Sequence, residues 1–294
     1  MQEKAMRFGV SLVLILLLAG SASAGFVSIE EGARAMAMGG AFTAIADDAT
    51  AVMWNPAGTA FAGGVKFTGM RSRLFSLSGL SEDCIGLNYG GWEKTGLGFG
   101  WTRTAVKDVY SENTFVLGGG RKFLDNRLGV GGAVRFYRVA APGYDYYNDP
   151  SFLGNDTGYA LDLGLMYSNP RWSVACVMRN LGEPELKLIE TTEDPDPIYR
   201  ELRVGGRYTI REVVTLTGEI RRSHGAPAYL DSKTRYYLGT EIWFFDVFAL
   251  RAGVHEGRAT GGLGLKIDWL TIDASLISAR RPGSIYRLAL TLDF

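Results

Sequence analysis

The chain has 294 residues, with 31 Lys+Arg against 31 Asp+Glu and a formal net charge of +0, so it lacks the basic excess of a general nucleic-acid binder. Charged residues make up 21% and hydrophobic residues 47%, which excludes disorder by composition. Glycine is abundant, at 39 residues or about 13% against roughly 7% on average, while 9 prolines and no G-X-Y period exclude collagen; with 12% aromatics, the composition points to β-structure.

Residues 1–24 read as a secretory signal peptide. Lys4 and Arg7 supply a positive start, Val10 to Ala19 is nearly all aliphatic, and Ala22-Ser23-Ala24 is an A-x-A cleavage site that places the mature start near Gly25. The apolar core falls short of the ~20 residues a membrane helix needs. No later stretch has 18 consecutive apolar residues, so no transmembrane helix is expected after it.

Residues 25–63 are rich in alanine and glycine. Asp47 is a suitable N-cap for a short helix running through Trp54, and Asn55 before Pro56 stops it, because proline disfavours helix at the preceding residue. Gly39-Gly40 allows a sharp turn or close packing. Such an element fits inside a barrel as a compact plug.

From about Val65 onward the period is two. Leu97, Phe99 and Trp101 alternate with Gly96, Gly98 and Gly100; Val134 and Phe136 with Arg135; Leu161, Leu163 and Leu165 with Asp162; Trp172, Val174, Cys176 and Met178 with Arg179. Further on, Arg203 and Arg207, Glu219 and Arg221, Arg235 and Glu241, Arg251 and His255, Lys266, Asp273 and Arg287 share the polar face of their segments. Counting less clear runs at 65–74 and 114–122, fourteen strands are expected.

The pattern alone leaves open which face is inside. Three features select a membrane barrel with apolar residues outside and charges in the lumen, where an Arg or Lys on lipid would cost about 2–4 kcal/mol. They are the export signal, the aromatics near the ends of the apolar faces (Tyr159, Tyr167, Trp172, Tyr208, Phe244), and the connections. The latter alternate between long (about 75–83, 105–113, 140–156, 182–198 and 223–233) and tight (Trp92-Glu93-Lys94, Asp125-Asn126, Asn169-Pro170, Arg211-Glu212, Phe245-Asp246, Asp268), as outer-membrane barrels do. Nine inward bases against four inward acids leave a basic excess, which Asp47 and Asp48 are expected to offset by contacting wall arginines.

Catalytic and metal signatures are missing. Cys84 and Cys176 form no C-x-x-C pair, and His224 and His255 no H-E-x-x-H. There is no G-x-S-x-G, Walker loop or G-x-G-x-x-G, and Gly118-Gly119-Gly120-Arg121-Lys122 reads as strand glycines. No enzyme, metal or cofactor is expected. By parity Cys84 points into the lumen and Cys176 to lipid, so both are expected as free thiols.

Four short motifs carry a family resemblance: Gly32-Ala33-Arg34, Met38-Gly39-Gly40-Ala41, Ala46-Asp47-Asp48-Ala49 and Asn55-Pro56-Ala57-Gly58. In order and spacing they resemble the N-terminus of FadL-type long-chain fatty-acid transporters and their PorV/PorQ relatives, with Asn180-Leu181-Gly182 closer to the PorV/PorQ branch. The resemblance implies an all-β, 14-stranded antiparallel outer-membrane β-barrel, with residues 25–63 as a hatch in the lumen of a barrel formed by 64–294. It implies passive transport of hydrophobic or amphipathic molecules, with Gly96, Gly98 and Gly100 as a candidate lateral opening or as room for the plug. The alternative is a PorV-like accessory or cargo-binding component of a type IX-like secretion system, in which the acidic loop 182–198 meets a partner. Tyr144, Tyr146, Tyr147 and Phe152 are candidates to collect an apolar ligand. The terminal Phe294 resembles the signal read by the outer-membrane insertion machinery.

Overall fold

The computed structural model describes residues 30–77, 79–147, 149–192, 195–224, 234–278 and 283–294. The expected signal peptide at 1–24 lies outside them. Fourteen long strands close into one antiparallel barrel. They are β1 (Val65–Arg73), β2 (Leu80–Trp92), β3 (Thr95–Val106), β4 (Tyr110–Phe123), β5 (Leu128–Ala140), β6 (Asn155–Ser168), β7 (Trp172–Leu181), β10 (Glu201–Ile210), β11 (Val214–Ser223), β12 (Arg235–Phe244), β13 (Phe248–His255), β14 (Arg258–Ile267), β15 (Leu270–Ile277) and β16 (Ile285–Asp293). A two-stranded ribbon, β8 (Glu185–Leu186) with β9 (Asp196–Pro197), lies in the connection between β7 and β10. Each strand pairs with its sequence neighbours, and β1 pairs with β16 to close the wall. The ends of the barrel chain are joined directly: Val65 N donates to Phe294 O and Phe294 N to Val65 O, both at 2.9 Å.

Closure removes every strand edge, so the ladder satisfies the wall's own backbone. The period-two pattern then sorts side chains. Tyr159, Leu163, Leu238 and Leu263 are 71%, 57%, 60% and 63% exposed on the outer surface, whereas Arg135, Asp162, Arg203 and Arg251 are at most 2% exposed inside. An outer surface of this kind matches hydrocarbon, not water. Among the described residues no helix is long and apolar enough to cross a membrane.

The two barrel ends differ. At one end, tight hairpins turn through left-handed residue pairs, Asp125-Asn126 (φ 55° and 65°), Arg211-Glu212 (50° and 62°) and Phe245-Asp246 (56° and 56°), whose twist suits two-residue hairpins. At the other end lie the longer connections. The expected long loop at 105–113 is a correction: β3 and β4 run on to pair Val106 with Tyr110, leaving a three-residue turn, because Thr104 to Val106 and Tyr110 to Asn113 continue the ladder. Likewise Leu80 to Asp83 belong to β2 rather than to a loop.

The alternation fixes the register of β7: Arg179 is buried at 6%, while Trp172 and Val174 are exposed at 41% and 51% on the other face with Cys176. Cys84 is buried in the lumen, and both cysteines are free. A charge at Leu163, mid-strand on the outer face of β6, is therefore expected to be costly: L163R should lower unfolding stability in lipid by about 2–4 kcal/mol. Denaturant titration of the barrel in vesicles measures this, and a loss below about 1 kcal/mol would contradict the outward assignment.

Candidate functional site

The lumen is filled by the chain's own N-terminal segment. None of residues 30–62 is exposed. Regular structure is sparse: a helix at Ala33–Ala37, a single turn at Ala51–Trp54 and a 3-10 turn at Pro56–Ala60. The helix expected from Asp47 is a correction. It starts only at Ala51, because Asp48 Oδ1 accepts from Thr50 N (2.8 Å) and Thr50 Oγ1 (2.6 Å) and so forms a turn before it. Asn55 is extended, as its place before proline requires, and its Oδ1 accepts from Ala57 N at 3.0 Å to cap the Pro56–Ala60 turn. Its Nδ2 donates to Thr43 O at 3.1 Å, pinning the segment's two halves together.

A buried, largely irregular backbone needs partners for its polar groups, and the wall supplies them from side chains. Thr260 Oγ1 donates to Ala37 O (3.0 Å), Thr217 Oγ1 to Ala41 O (2.7 Å), Ser173 Oγ to Ala44 O (2.5 Å), Arg135 Nη2 to Met53 O (2.7 Å) and Asn88 Nδ2 to Thr59 O (3.2 Å). Arg221 Nη2 donates to Gly40 O, His255 Nδ1 lies 3.2 Å from Gly39 O, and Thr43 N donates to Glu219 Oε2 at 2.9 Å.

Charges form a second layer of contacts. Arg34 Nε and Nη2 donate to the two oxygens of Glu241, both at 2.9 Å, and Arg34 Nη1 meets Asp47 Oδ1 at 2.6 Å. Glu241 is also held by Arg251 Nε (2.6 Å), whose Nη1 reaches Asp273 Oδ1 (2.6 Å). On the opposite wall Arg135 Nε donates to Asp162 Oδ2 at 2.5 Å, and Asp162 Oδ1 accepts from Asn180 N at 2.9 Å. Glu30 pairs with Arg221 and lies 3.3 Å from Arg203 Nη2; Glu31 lies 4.0 Å from Arg179 Nη2.

The structure therefore corrects the expected partners. Asp47 and Asp48 face Arg34 of their own segment, and the acids that reach wall arginines are Glu30 and Glu31. The arginine of Gly32-Ala33-Arg34 engages a wall acid instead. Three further acids that pair with arginines expected to face inward were missed. Glu82, 3.6 Å from Arg287 Nε, fell in a stretch read as loop; Glu201, 2.5 Å from Arg203 Nε, lies at the first residue of β10; Glu256 receives Arg235 Nη1 at 3.0 Å. Among the other residues expected to face inward, Arg207 Nη2 donates to Asn169 O (3.0 Å) near the turn end, while Lys266 sits exposed beside the turns.

Glycines of the wall fit the segment closely. A Cβ on Gly96 would lie 2.1 Å from Thr59 O, one on Gly98 2.6 Å from Val52 Cβ, and one on Gly100 2.2 Å from Met53 Cε. β3 is paired at Gly98 and Gly100 on both sides, and at Gly96 with Gly120 of β4, while the β2 ladder shifts register opposite Gly96. In this conformation the wall there is continuous, and the room beside it is occupied by the segment.

Connections cover the loop end. Leu186 and Ile198 pack with Tyr137, Val139 and Ala160 in an apolar cluster at the mouth. The connections at 141–154 and 182–200 are zipped by Leu153 N to Leu188 O and Glu190 N to Ser151 O, each 2.8 Å. Asn180 braces this cap, accepting from Tyr137 OH (2.6 Å) and donating to Tyr199 O (3.1 Å). Tyr144 packs on Phe152 with centroids 4.7 Å apart; the side chains of Tyr146 and Tyr147 lie outside the described residues. Among the described residues no cluster of three or more His, Cys, Asp or Glu is arranged to hold a metal.

No family model and no curated protein sequence matches this chain. Its fold is shared with solved structures. The toluene transporter TodX of P. putida is 13% identical, with a TM-score of 0.63, over 90% of this chain and 98% of that one. The CymD monoaromatic hydrocarbon channel is 15% identical, with a TM-score of 0.61, over 90% and 97%. A Pseudomonas aeruginosa FadL homologue is 12% identical, with a TM-score of 0.57, over 87% and 96%. At these identities the likeness is one of fold.

Two substitutions test how the segment is held. E241Q removes the buried charge that Arg34 and Arg251 share, and losing one partner of a buried pair typically costs about 3–5 kcal/mol. G96A places a methyl against backbone that cannot retreat without moving the 3-10 turn. Each is expected to raise the labelling rate of a thiol introduced at Met36 by roughly tenfold or more, as a local opening easier by about 1.4 kcal/mol requires. Unchanged labelling in both would show that the segment is held by neither contact.

Proposed function

We propose that the protein is an integral outer-membrane barrel, exported by residues 1–24, through which hydrophobic or amphipathic small molecules cross passively. The observation that carries this reading is a closed fourteen-strand wall, apolar outside, whose lumen is filled by a folded N-terminal segment. The fold neighbours over about nine-tenths of the chain, described as a toluene transporter and a monoaromatic hydrocarbon channel, support it. In this reading residues 25–63 act as a hatch and 64–294 as the barrel. The apolar cluster around Tyr137, Val139 and Leu186 receives the ligand, and the segment then shifts to let it pass. An exit beside Gly96, Gly98 and Gly100 requires that same shift, because Thr59, Val52 and Met53 fill the space.

Phe294, stacked on Trp269 at the seam of the barrel, is the residue offered to the insertion machinery. The narrower PorV/PorQ placement, with its secretion role, rests on the motif resemblance; an exported protein cross-linking specifically to the 182–198 connection would favour it.

The test is uptake of toluene into vesicles carrying the purified protein. Uptake above that of protein-free vesicles is expected, and none would overturn the transport reading. Removing residues 25–63 is expected to raise ion conductance in a planar bilayer by at least several-fold, since closed β-barrels of this size enclose a channel once unplugged. Unchanged conductance would count against a plug.

A further inference from the structure

Outward-facing arginines gather on one side of the barrel, at one height. Counted along each strand from the turn end, Arg103 lies eight residues above Thr95, Arg138 ten above Leu128, and Arg73 eight above Val65. Strands rise about 3.3 Å per residue and tilt by roughly 40° in such barrels, so eight to ten residues reach roughly 20–26 Å. That is the upper boundary of an apolar band about 25 Å tall. All three side chains are exposed, and none forms an ion pair with a described residue.

The ladder registers place their neighbours. Arg103 is directly opposite Asn113, and Asn113 opposite Arg138, so two arginines flank an amide on adjacent strands. Strands are about 4.8 Å apart, which sets Arg103 and Arg138 roughly 10 Å apart at the backbone, with their side chains able to converge over Asn113. Asn113 Oδ1 accepts from Trp101 Nε1 at 3.3 Å, which leaves its amide hydrogens to donate. The one acid in the row, Asp83, directly opposite Arg103 on β2, pairs instead with Arg71 of β1 on its other side, at 3.6 Å. Two residues nearer the turn end, Trp101, Phe115, Phe136 and Tyr159 form the next directly paired row, all on the outer face. Aromatics in this position mark where hydrocarbon gives way to headgroups.

We propose that the outer wall over β3–β5 binds the phosphate of an anionic membrane-lipid headgroup, held by Arg103 and Arg138 with Asn113 between them, while its acyl chains lie on the aromatic row. The proposal rests on the membrane placement above, and deepens it by naming a lipid class and a sector. Guanidinium forks suit phosphate oxygens in pairs. The hydrocarbon below the row supplies what a free anion lacks, a surface for the chains.

The test uses the full chain folded into dioleoylphosphatidylcholine nanodiscs containing a small fraction of dioleoylphosphatidic acid, with protein-bound lipid read by native mass spectrometry. Heat-modifiable mobility and circular dichroism first establish insertion; a wild-type chain that does not insert overturns the membrane reading itself, before any lipid is measured. Given insertion, wild type is expected to retain phosphatidic acid in preference to phosphatidylcholine. Each arginine near a charged surface contributes about fivefold, so R103Q/R138Q should lose roughly 20- to 30-fold of that preference. R103K/R138K should keep most of it, because charge is retained, and R222Q, eight residues above Val214 on the distant β11, should leave it unchanged. Equal retention by wild type and R103Q/R138Q overturns the proposal, as does equal loss in R222Q. Displacement of the lipid by millimolar inorganic phosphate would reassign the surface to a free anion and overturn the lipid commitment.

Discussion

A backbone that is neither helix nor ladder can lie within a membrane barrel only if something satisfies its amides and carbonyls. Residues 38–50 are such a backbone. Their partners on the wall are side chains, a serine, a threonine, a glutamate, an arginine and a histidine at fixed heights on β7, β11 and β13. That dependence orders the rest of the lumen. Each polar wall residue is buried with the segment, and charges among them need a counter-charge, because an unpaired buried ion is costly. The Arg34–Glu241–Arg251–Asp273 chain and the Glu30 contacts with Arg203 and Arg221 meet that need. Neither the segment nor the wall is satisfied without the other.

The fold was legible because each constraint on it repeats. A strand buried on one face and bathed in hydrocarbon on the other must alternate, and fourteen alternating stretches state the strand count, the inward set and the register of Arg135, Asp162 and Arg179 together. Strand ends were less legible. Thr104 to Val106 and Tyr110 to Asn113 extend a ladder beyond the apolar band, where nothing forces alternation, so they read as loop. Glu82 was hidden for the same reason: it belongs to β2 at a height where polar residues occupy both faces. The contacts of the segment were illegible for a different reason. Whether Asp47 meets a wall arginine or Arg34 depends on how an irregular chain folds back on itself, and no periodicity encodes that. Glu30 and Glu31 precede the motif stretch, and no local pattern distinguishes them from solvated acids.

The segment's two halves are held by different mixtures of polar contact and close packing, and the wall's composition follows from both. Residues 30–44 lean on β7 and β10–β16, where ion pairs and hydrogen bonds stand beside close contacts of Ala37, Met38 and Gly39 with Gly262, Gly239 and Gly253. The polar contacts are worth only about 0.5–1.5 kcal/mol net each when water can replace a partner, and more when the site is dry. Residues 49–62 lean on β2–β6, where Ala49, Val52, Met53, Pro56 and Thr59 press on Gly86, Gly98, Gly100, Gly131 and Gly96 at distances that leave no room for a Cβ. Those contacts are dispersion and shape, which water does not replace. The glycine excess in the sequence is thus largely a record of the plug written into the wall. A strand glycine ordinarily weakens its strand, and here the lost side-chain packing is supplied by another part of the chain. A wall built this way is complete only with its segment in place: the polar sector would take up water if the segment left, whereas the glycine sector would be left thin and smooth, with backbone facing the lumen.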